Sequence, residues 1–595
     1  MAGERNAVTI VVDTDHNDDD QNIDALLTGD KWDTSISNVI TFSFTDSAAD
    51  YSYSAGTGVT FASAFDATQQ QGAREALAEF AAVADVVFSE LAFGSADGTL
   101  RFAEVNGINT AFGYYPNDFE SGGDMAFNPN DYNVPTLGTF AYHTYLHEIG
   151  HAMGLKHGHD NTASSGYPDV GEMTADRDGM EWSVMTYNSF VGQNESPGFY
   201  TNVAGHYAQT LMVYDIAALH RLYGANYDTN NTASTYTFNT STGEMSINGV
   251  GQGTPAAAVT FRTVWDGGGV DTYDLSNFTT NLALDLRPGE YSDFDTGGNL
   301  LRAQLNAGWD SSGTFVFDDS EHEFANGHLW NALLSEGNLA SLIENAVGGT
   351  GDDIIVGNKG TNTLTGGRGI DELQGQAGDD VLYGGGGFDL IFGGGDDDHL
   401  IGGGGEDELQ GDDGADSLFG GGGADTLYGQ AGSDTLEGGD SGDRLVGGNG
   451  ADLLVGGEGA DTLSGGKGAD ELRGGKGADV LEGGDQGDIL KGQKGNDTLK
   501  GQSGADRLEG GEGNDRLTGG TGADVFVYNG NANEGTDRIT DFDNGTDKIE
   551  ISGATTFGDL TIAVVNGNTQ VTWDLNKIII EGITSGIGSN DFDFV

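Results

Sequence analysis

The chain has 595 residues and a formal net charge of -70, from 94 acidic against 24 basic side chains. Such a charge repels nucleic acid and anionic membranes, so neither is expected as a partner. Cysteine is absent, glycine reaches 102 residues against 7 prolines, and no apolar run nears the roughly eighteen residues of a membrane span. These counts point to several domains, a glycine-built repeat, and stabilisation by divalent metal instead of disulfides.

Residues 1–21 read as a pro-segment-like or disordered arm. A short apolar run, Val8 to Val12, leads into an acidic cluster (Asp13, Asp15, Asp18, Asp19, Asp20), without the basic start and long apolar core of an N-terminal export signal. Residues 38–44 read as a strand. Residues 69–84 read as a helix, with Ala73, Leu77, Phe80, Ala81 and Ala84 at helical spacing and Asp66 or Thr68 as its N-cap. Strands are expected near 100–102 and 111–115, a helix from about Thr139, and another over 211–223 with Met212, Ile216, Leu219 and Leu222 on one face. Residues 22–225 are thus expected to form an α/β catalytic domain, and 226–347 a β-rich junction.

Inside that domain stands His147-Glu148-Ile149-Gly150-His151-Ala152-Met153-Gly154-Leu155-Lys156-His157. On a helix, His147 and His151 share one face. Glycine at 154 accepts the left-handed conformation that stops a helix, so the chain can turn and return His157 as a third ligand. Three neutral imidazoles leave one position open, which is the pattern of a catalytic zinc. Glu148, beside the first ligand, is placed to act as general base. The bare histidine pair would read equally well as two solvated surface side chains. The third histidine and the later Ser183-Val184-Met185-Thr186-Tyr187 turn together form the metzincin signature.

From Gly348 to Val527 the chain divides into twenty nonapeptides without insertion. The unit is G-G-x-G-x-D-x-U-x, where U is a large apolar residue, and the period is that of a calcium-binding parallel β-roll. Six residues are expected in each turn and three in each strand, two units completing one coil. Position six is Asp353, Asp371, Asp380, Asp389, Asp398, Asp407, Asp416, Asp425, Asp434, Asp443, Asp452, Asp461, Asp470, Asp479, Asp488, Asp497, Asp506, Asp515 and Asp524, with Asn362 the exception. Position four departs from glycine at Asp396, Ser441 and Gln486. Stacked aspartates would repel, so Ca2+, which takes six to eight oxygens, is expected between the turns, up to about 18 ions in all. Without calcium the same composition describes a disordered acidic linker. The repeats hold 36 acidic and 11 basic residues, so -25 of the charge lies there and -45 elsewhere.

The zinc motif, the Met185–Tyr187 turn and the C-terminal repeats occur in the order of the serralysins, secreted zinc endopeptidases with a repeats-in-toxin roll. The resemblance extends to Asp215-Ile216-Ala217-Ala218-Leu219, Leu222-Tyr223-Gly224-Ala225-Asn226, Val264-Trp265-Asp266-Gly267-Gly268-Gly269-Val270-Asp271-Thr272, Leu284-Asp285-Leu286-Arg287-Pro288-Gly289 and Ile343-Glu344-Asn345-Ala346-Val347. It implies an α/β metzincin catalytic domain followed by an all-β parallel β-roll. It also implies one zinc on His147, His151 and His157, Glu148 as base, and Tyr187 as a resting zinc ligand that swings to the oxyanion. On sequence alone Tyr187 reads equally as a core aromatic, and Met185 reads as packing beneath the metal. Asp266, Gly268, Asp271 and Glu344 resemble calcium ligands at the junction. The chain departs from the family after His157, where Gly158-His159 replaces the usual proline. His159 reads as a solvated loop histidine or as a competitor for metal.

Residues 528–595 are expected to form a C-terminal β cap. Its end, Asp591-Phe592-Asp593-Phe594-Val595, resembles the uncleaved signal read by type I secretion machinery, which implies an extracellular protein that folds on meeting calcium. The resulting expectation is a secreted monomeric endopeptidase that acts on protein or peptide substrates with broad specificity. A calcium-dependent adhesion protein with a vestigial zinc domain is the competing reading; a lipase is not, since no G-x-S-x-G is found.

Overall fold

The computed structural model describes residues 8–10, 21–28, 30–35, 37–47, 59–116, 121–158, 173–174, 177–189, 200, 202–296, 298, 301–303, 325–529, 534–553, 556–573 and 576–595. They fall into two compact units, residues 1–278 with 282–345, and residues 279–281 with 346–595. No helix among the described residues is long and apolar enough to cross a membrane.

The first unit is a mixed sheet with few helices. Its strand order is Val87–Glu90, Val39–Phe44, Leu100–Asn106, Asp124–Phe127 and Ala111–Gly113, with Thr60–Ser63 pairing Leu100–Asn106 from the side. The first four run parallel; Ala111–Gly113 and Thr60–Ser63 are antiparallel to their partners. Alternation along Val39–Phe44 buries Ile40, Phe42 and Phe44. The helix Ala67–Val83 starts at Asp66, whose carboxylate accepts from Thr68 N and Gln69 N while Gln69 returns a bond to the Asp66 backbone. This reciprocal box satisfies donors that the first turn otherwise leaves orphaned.

The motif helix Phe140–Ala152 is capped by Thr139 and almost wholly buried. Tyr145 fastens it to the sheet, stacked on Phe65 at 5.7 Å and edge-on to Phe127 at 4.7 Å. Each such buried aromatic contributes on the order of 1.5–3 kcal/mol. The helix Val213–Tyr223 packs Ile216, Leu219 and Leu222 into the same core. Residues 226–278 and 282–345 belong to this unit, with a short sheet of Arg262–Val264, Leu329–Asn331 and Tyr291–Ser292. Within residues 1–21, expected to be a pro-segment-like or disordered arm, Val8–Ile10 is a strand paired antiparallel with Asp30–Trp32; residues 1–7 and 11–20 lie outside the described residues.

The second unit is a β-solenoid. Twenty repeat strands, Ile354–Val356 through Val525–Asn529, alternate between two sheets, each pairing in parallel with the strand two units on. In one such pair Leu454 stands opposite Leu472. The apolar residue at position eight is 0% exposed in every unit from Ile355 to Phe526, so two columns of side chains, one from each sheet, fill the interior of the repeats. Most repeat strands have six residues where three were expected. The cause is that the leading glycines also pair across the sheet, as Gly457 does with Gly475. Only G-x-D is left for the turn. Gly457 and Gly459 take φ of 114° and 142°, which side chains with a Cβ rarely adopt.

Candidate active site and aspartate ladder

In the motif helix the Nε2 atoms of the histidines converge: His147 to His157 is 3.2 Å and His151 to His157 is 3.0 Å. His147 Nδ1 lies 2.8 Å from the Val184 carbonyl, and His151 Nδ1 lies 2.8 Å from the Leu155 carbonyl. A carbonyl only accepts, so both Nδ1 atoms carry the proton and both Nε2 atoms offer lone pairs. Lone pairs facing one another at this distance suit a cation between them. Tetrahedral Zn–N bonds of about 2.0–2.1 Å place ligand nitrogens roughly 3.3 Å apart, so the set fits zinc. Burial and the neighbouring imidazoles hold the His147 pKa well below its ordinary value, keeping it neutral.

The turn that returns His157 is made at Gly154, whose φ is +102°. A Cβ there would strike the Asp30 carbonyl. Gly158 leaves room for Met173, whose sulfur a Cβ would meet; Met173 N donates to the Gly158 carbonyl at 2.8 Å. His159 lies outside the described residues.

Glu148 is 6% exposed, and its Oε2 is buried without a hydrogen-bond partner. Burial pushes its carboxyl up to about 8, opposed by the Gly113 backbone N–H. Tyr187 is not a core aromatic: it is 38% exposed, with its ring 4.3 Å from that of His157 and stacked at 5.6 Å on that of His147. Met185 is fully buried. Its sulfur packs under the helix at Gly150, where an added Cβ would lie 2.5 Å away, so it supports the histidines from below.

The sequence reading assigned no role to Asp215, which holds that support. Fully buried, it accepts from Ser183 Oγ at 2.6 Å, Val184 N at 2.8 Å and Met212 N at 2.9 Å. Ser183 Oγ accepts in turn from Met185 N. Val184 is therefore held at its N–H by Asp215 while its carbonyl orients His147. Burial raises the Asp215 carboxyl to about 6 against these three bonds. Only an isolated acid in an apolar stretch, Met212 to Ile216, hinted at it.

The four junction residues are brought together. Tyr236 Oη donates to Asp266 at 2.6 Å, Gly268 N donates to Asp266 at 2.9 Å, and Asp271 N donates to Glu344 at 2.7 Å. Asp271 Oδ2 is buried without a partner. Burial first, then the Asp266 and Glu344 carboxylates, raise Asp271 to about 8. Clustered, desolvated oxygens of this kind suit a hard cation.

The position-six aspartates form a column on each edge of the solenoid. The backbone N–H of each donates to Oδ1 of the aspartate eighteen residues on, as from Asp434 to Asp452 at 2.9 Å. From Asp371 to Asp515 every Oδ2 is buried without a partner. Burial raises many of these carboxyls, Asp380 to about 8 and Asp452 to about 7. Asn362 fills its rung without charge, donating to Asp380 at 2.6 Å. Beyond the twentieth unit the ladder goes on, which sequence reading missed: Asp515 N donates to Asp537 and Asp524 N to Asp547, at 2.9 and 3.1 Å.

A family model described as RTX calcium-binding nonapeptide repeat matches nine stretches between residues 342 and 534. A second, peptidase M10 serralysin C terminal, matches residues 225–304. Serralysin G of Dickeya chrysanthemi is 33% identical over 49% of this chain and 54% of its own. Metalloprotease AprA of Pseudomonas entomophila is 32% identical over 53% and 58%. Serralysin C of Dickeya chrysanthemi is 32% identical over 41% and 43%. The chain thus spans about half the length of the curated relatives it matches. It carries RTX calcium-binding repeats and a serralysin C-terminal segment, and it is similar to serralysin metalloproteases.

Proposed function

We propose that the chain is a secreted zinc-dependent endopeptidase of broad specificity whose roll and junction bind calcium. The observation that carries this reading is the convergence of three imidazole Nε2 atoms beside Glu148, a buried carboxylate with an uncommitted oxygen. His147, His151 and His157 would hold zinc, which would supply carbonyl polarisation and a lowered pKa for water. Glu148 takes the proton of an attacking water and returns it to the departing amine. Its low exposure keeps bulk water from competing. Tyr187, exposed enough to change rotamer, donates its phenol to the oxyanion of the tetrahedral intermediate. The Val184 and Leu155 carbonyls fix the tautomer and angle of the two helical histidines.

Asp266, Gly268, Asp271 and Glu344 would hold calcium in the first unit, and the aspartates from Asp353 to Asp524 would hold it in the roll. Export through the type I route as an unfolded chain, followed by folding in external calcium, accounts for the ladder. Casein cleavage by the wild type and by Glu148→Ala, with zinc content measured in both, tests the protease reading. Cleavage lost while zinc is retained supports it; equal cleavage by both proteins overturns it. An adhesion role with an idle zinc domain leaves unexplained why Asp215 holds Val184, whose carbonyl aims His147.

A further inference from the structure

A side chain that changes rotamer during a reaction needs room to turn and a backbone that stays still. Tyr187 has the room: it is 38% exposed, and with Tyr200 it lines a cavity of about 560 Å³ that also borders His147 and Glu148. Its backbone is held by a residue with no part in the mechanism above. Half-buried Asp178 accepts from Thr186 Oγ through one carboxylate oxygen and from Asn188 Nδ2, at 2.7 Å, through the other. Thr186 Oγ accepts in turn from Asn188 N at 3.2 Å. One carboxylate thus ties together both chain neighbours of Tyr187.

Two further bonds fasten the same stretch. Tyr200 Oη donates to the Thr186 carbonyl at 2.7 Å, and Met180 N donates to the Asn188 carbonyl at 3.0 Å. Thr186 is 0% exposed, so water cannot replace Asp178 as the partner of its hydroxyl. Hydrogen bonds to a charged acceptor contribute about 1.5–3 kcal/mol each, and a buried hydroxyl stripped of its partner costs about 1–3 kcal/mol. The start of the turn is held in the same manner, since Asp215 takes Ser183 Oγ and Val184 N. Each end of the turn therefore has its own carboxylate, one behind His147 and one behind Tyr187.

We propose that Asp178 is a positioning residue for Tyr187: it fixes the backbone from which the phenol reaches the metal and the oxyanion. The inference rests on the endopeptidase reading and deepens it. Asp178 acts through Tyr187 and not on the substrate. A misplacement of about 1 Å at a reacting group costs up to about 100-fold in rate, so slack in residues 186–188 should be read in kcat.

The experiment is a double-mutant cycle on the full chain in calcium, with Asp178→Ala, Tyr187→Phe and the pair. With zinc bound, Asp178→Ala is expected to lower kcat on a casein-derived peptide by about tenfold while KM stays within about twofold. The same substitution should change kcat by less than about twofold when residue 187 is already phenylalanine. Copper(II) in place of zinc gives a readout independent of turnover, because a phenol oxygen on copper(II) produces a visible charge-transfer band that Tyr187→Phe abolishes. Asp178→Ala should lose at least about half of that band at unchanged copper content. Asp178→Asn keeps an acceptor for Thr186 Oγ and should retain more of it. Thr186→Val removes the same hydrogen bond from its other end and should match Asp178→Ala, so the test stands even where one variant fails to fold. An equal loss of kcat in both backgrounds overturns the proposal, because Asp178 then supports the fold without acting through Tyr187. So does a band absent from wild type, or one unchanged in folded Asp178→Ala. A band that responds as expected in a wild-type protein that cleaves no peptide keeps the positioning role and overturns the protease reading.

Discussion

Chelating calcium from the full chain near neutral pH should unfold the roll, and the aspartate column sets the size of the effect. Twelve rungs, Asp371, Asp380, Asp398, Asp407, Asp416, Asp443, Asp452, Asp461, Asp488, Asp497, Asp506 and Asp515, have carboxyls raised from 3.8 to between about 6 and about 8. The first cause at each is burial. A rise of roughly three units is about 4 kcal/mol against the charged form. Halving it for solvent screening at the turns leaves about 2 kcal/mol per rung, or about 24 kcal/mol over the twelve. A domain is typically stable by only about 5–15 kcal/mol, so a charged, metal-free ladder should not hold. The sign follows from proton uptake. Folded carboxyls titrate above unfolded ones, so the folded state binds more protons between about pH 4 and pH 8. The penalty is therefore full above about pH 8 and fades as pH falls toward 4. Far-UV circular dichroism should show the sheet signal lost with chelator at about pH 7.5, regained at about pH 5, and regained at about pH 7.5 with millimolar calcium. A chelated protein that keeps its full sheet signal at about pH 7.5, or loses it further on acidification to about pH 5, would refute the reasoning.

The first unit supplies three further tests. Glu148→Gln should cut kcat by about 10²–10⁴ with zinc content unchanged, read by casein turnover and metal analysis. Asp215→Ala strips the bonds from Ser183 Oγ, Val184 N and Met212 N. It should cost about 2–4 kcal/mol in thermal unfolding and weaken zinc affinity about 10–100-fold, whereas an effect on stability alone would detach it from the metal. Gly150→Ala places a Cβ 2.5 Å from the Met185 sulfur; it should lower stability by about 1–3 kcal/mol, and an unchanged melting temperature would show that the methionine simply moves aside.

Features governed by local rules were legible in the chain. Asp66 with Gln69, Thr139, and Gly154 mark helix ends through bonds made within a few residues, and the nonapeptide period carries its own partner strand two units away. What the chain did not disclose is set by contacts far apart in sequence. Asp215 acts on Val184, 31 residues earlier, and no spacing rule joins them. The exposure of Tyr187 depends on how the turn at Met185 seats beneath Gly150. His143 has the same helical offset from His147 that His147 has from His151, yet no short Nε2 contact joins it to the triad, and its place is a cavity wall. Local periodicity therefore finds histidines that share a face but cannot rank them against a neighbour on the same stripe.

The end of the roll shows the same limit from the other side. The glycine signature stops at Val527, and reading the repeat by its glycines ends the ladder there. Yet Asp537-Arg538-Ile539 and Asp547-Lys548-Ile549 keep the D-x-U triplet. Ile539 pairs with Leu517 and Ile549 with Phe526, so both carboxylates fall on the next rungs of their columns. The triplet is what the core and the ladder require: one apolar residue pointing in, and one carboxylate two residues earlier. The glycines are required only where the following strand also turns through positive φ. Lys548–Ser552 instead pairs with the terminal strand Phe592–Phe594, and Thr536–Ile539 with Asn576–Ile580, so the cap replaces the glycine turn while leaving the carboxylates in register. Aspartate and apolar residue, not glycine, define where the ladder ends.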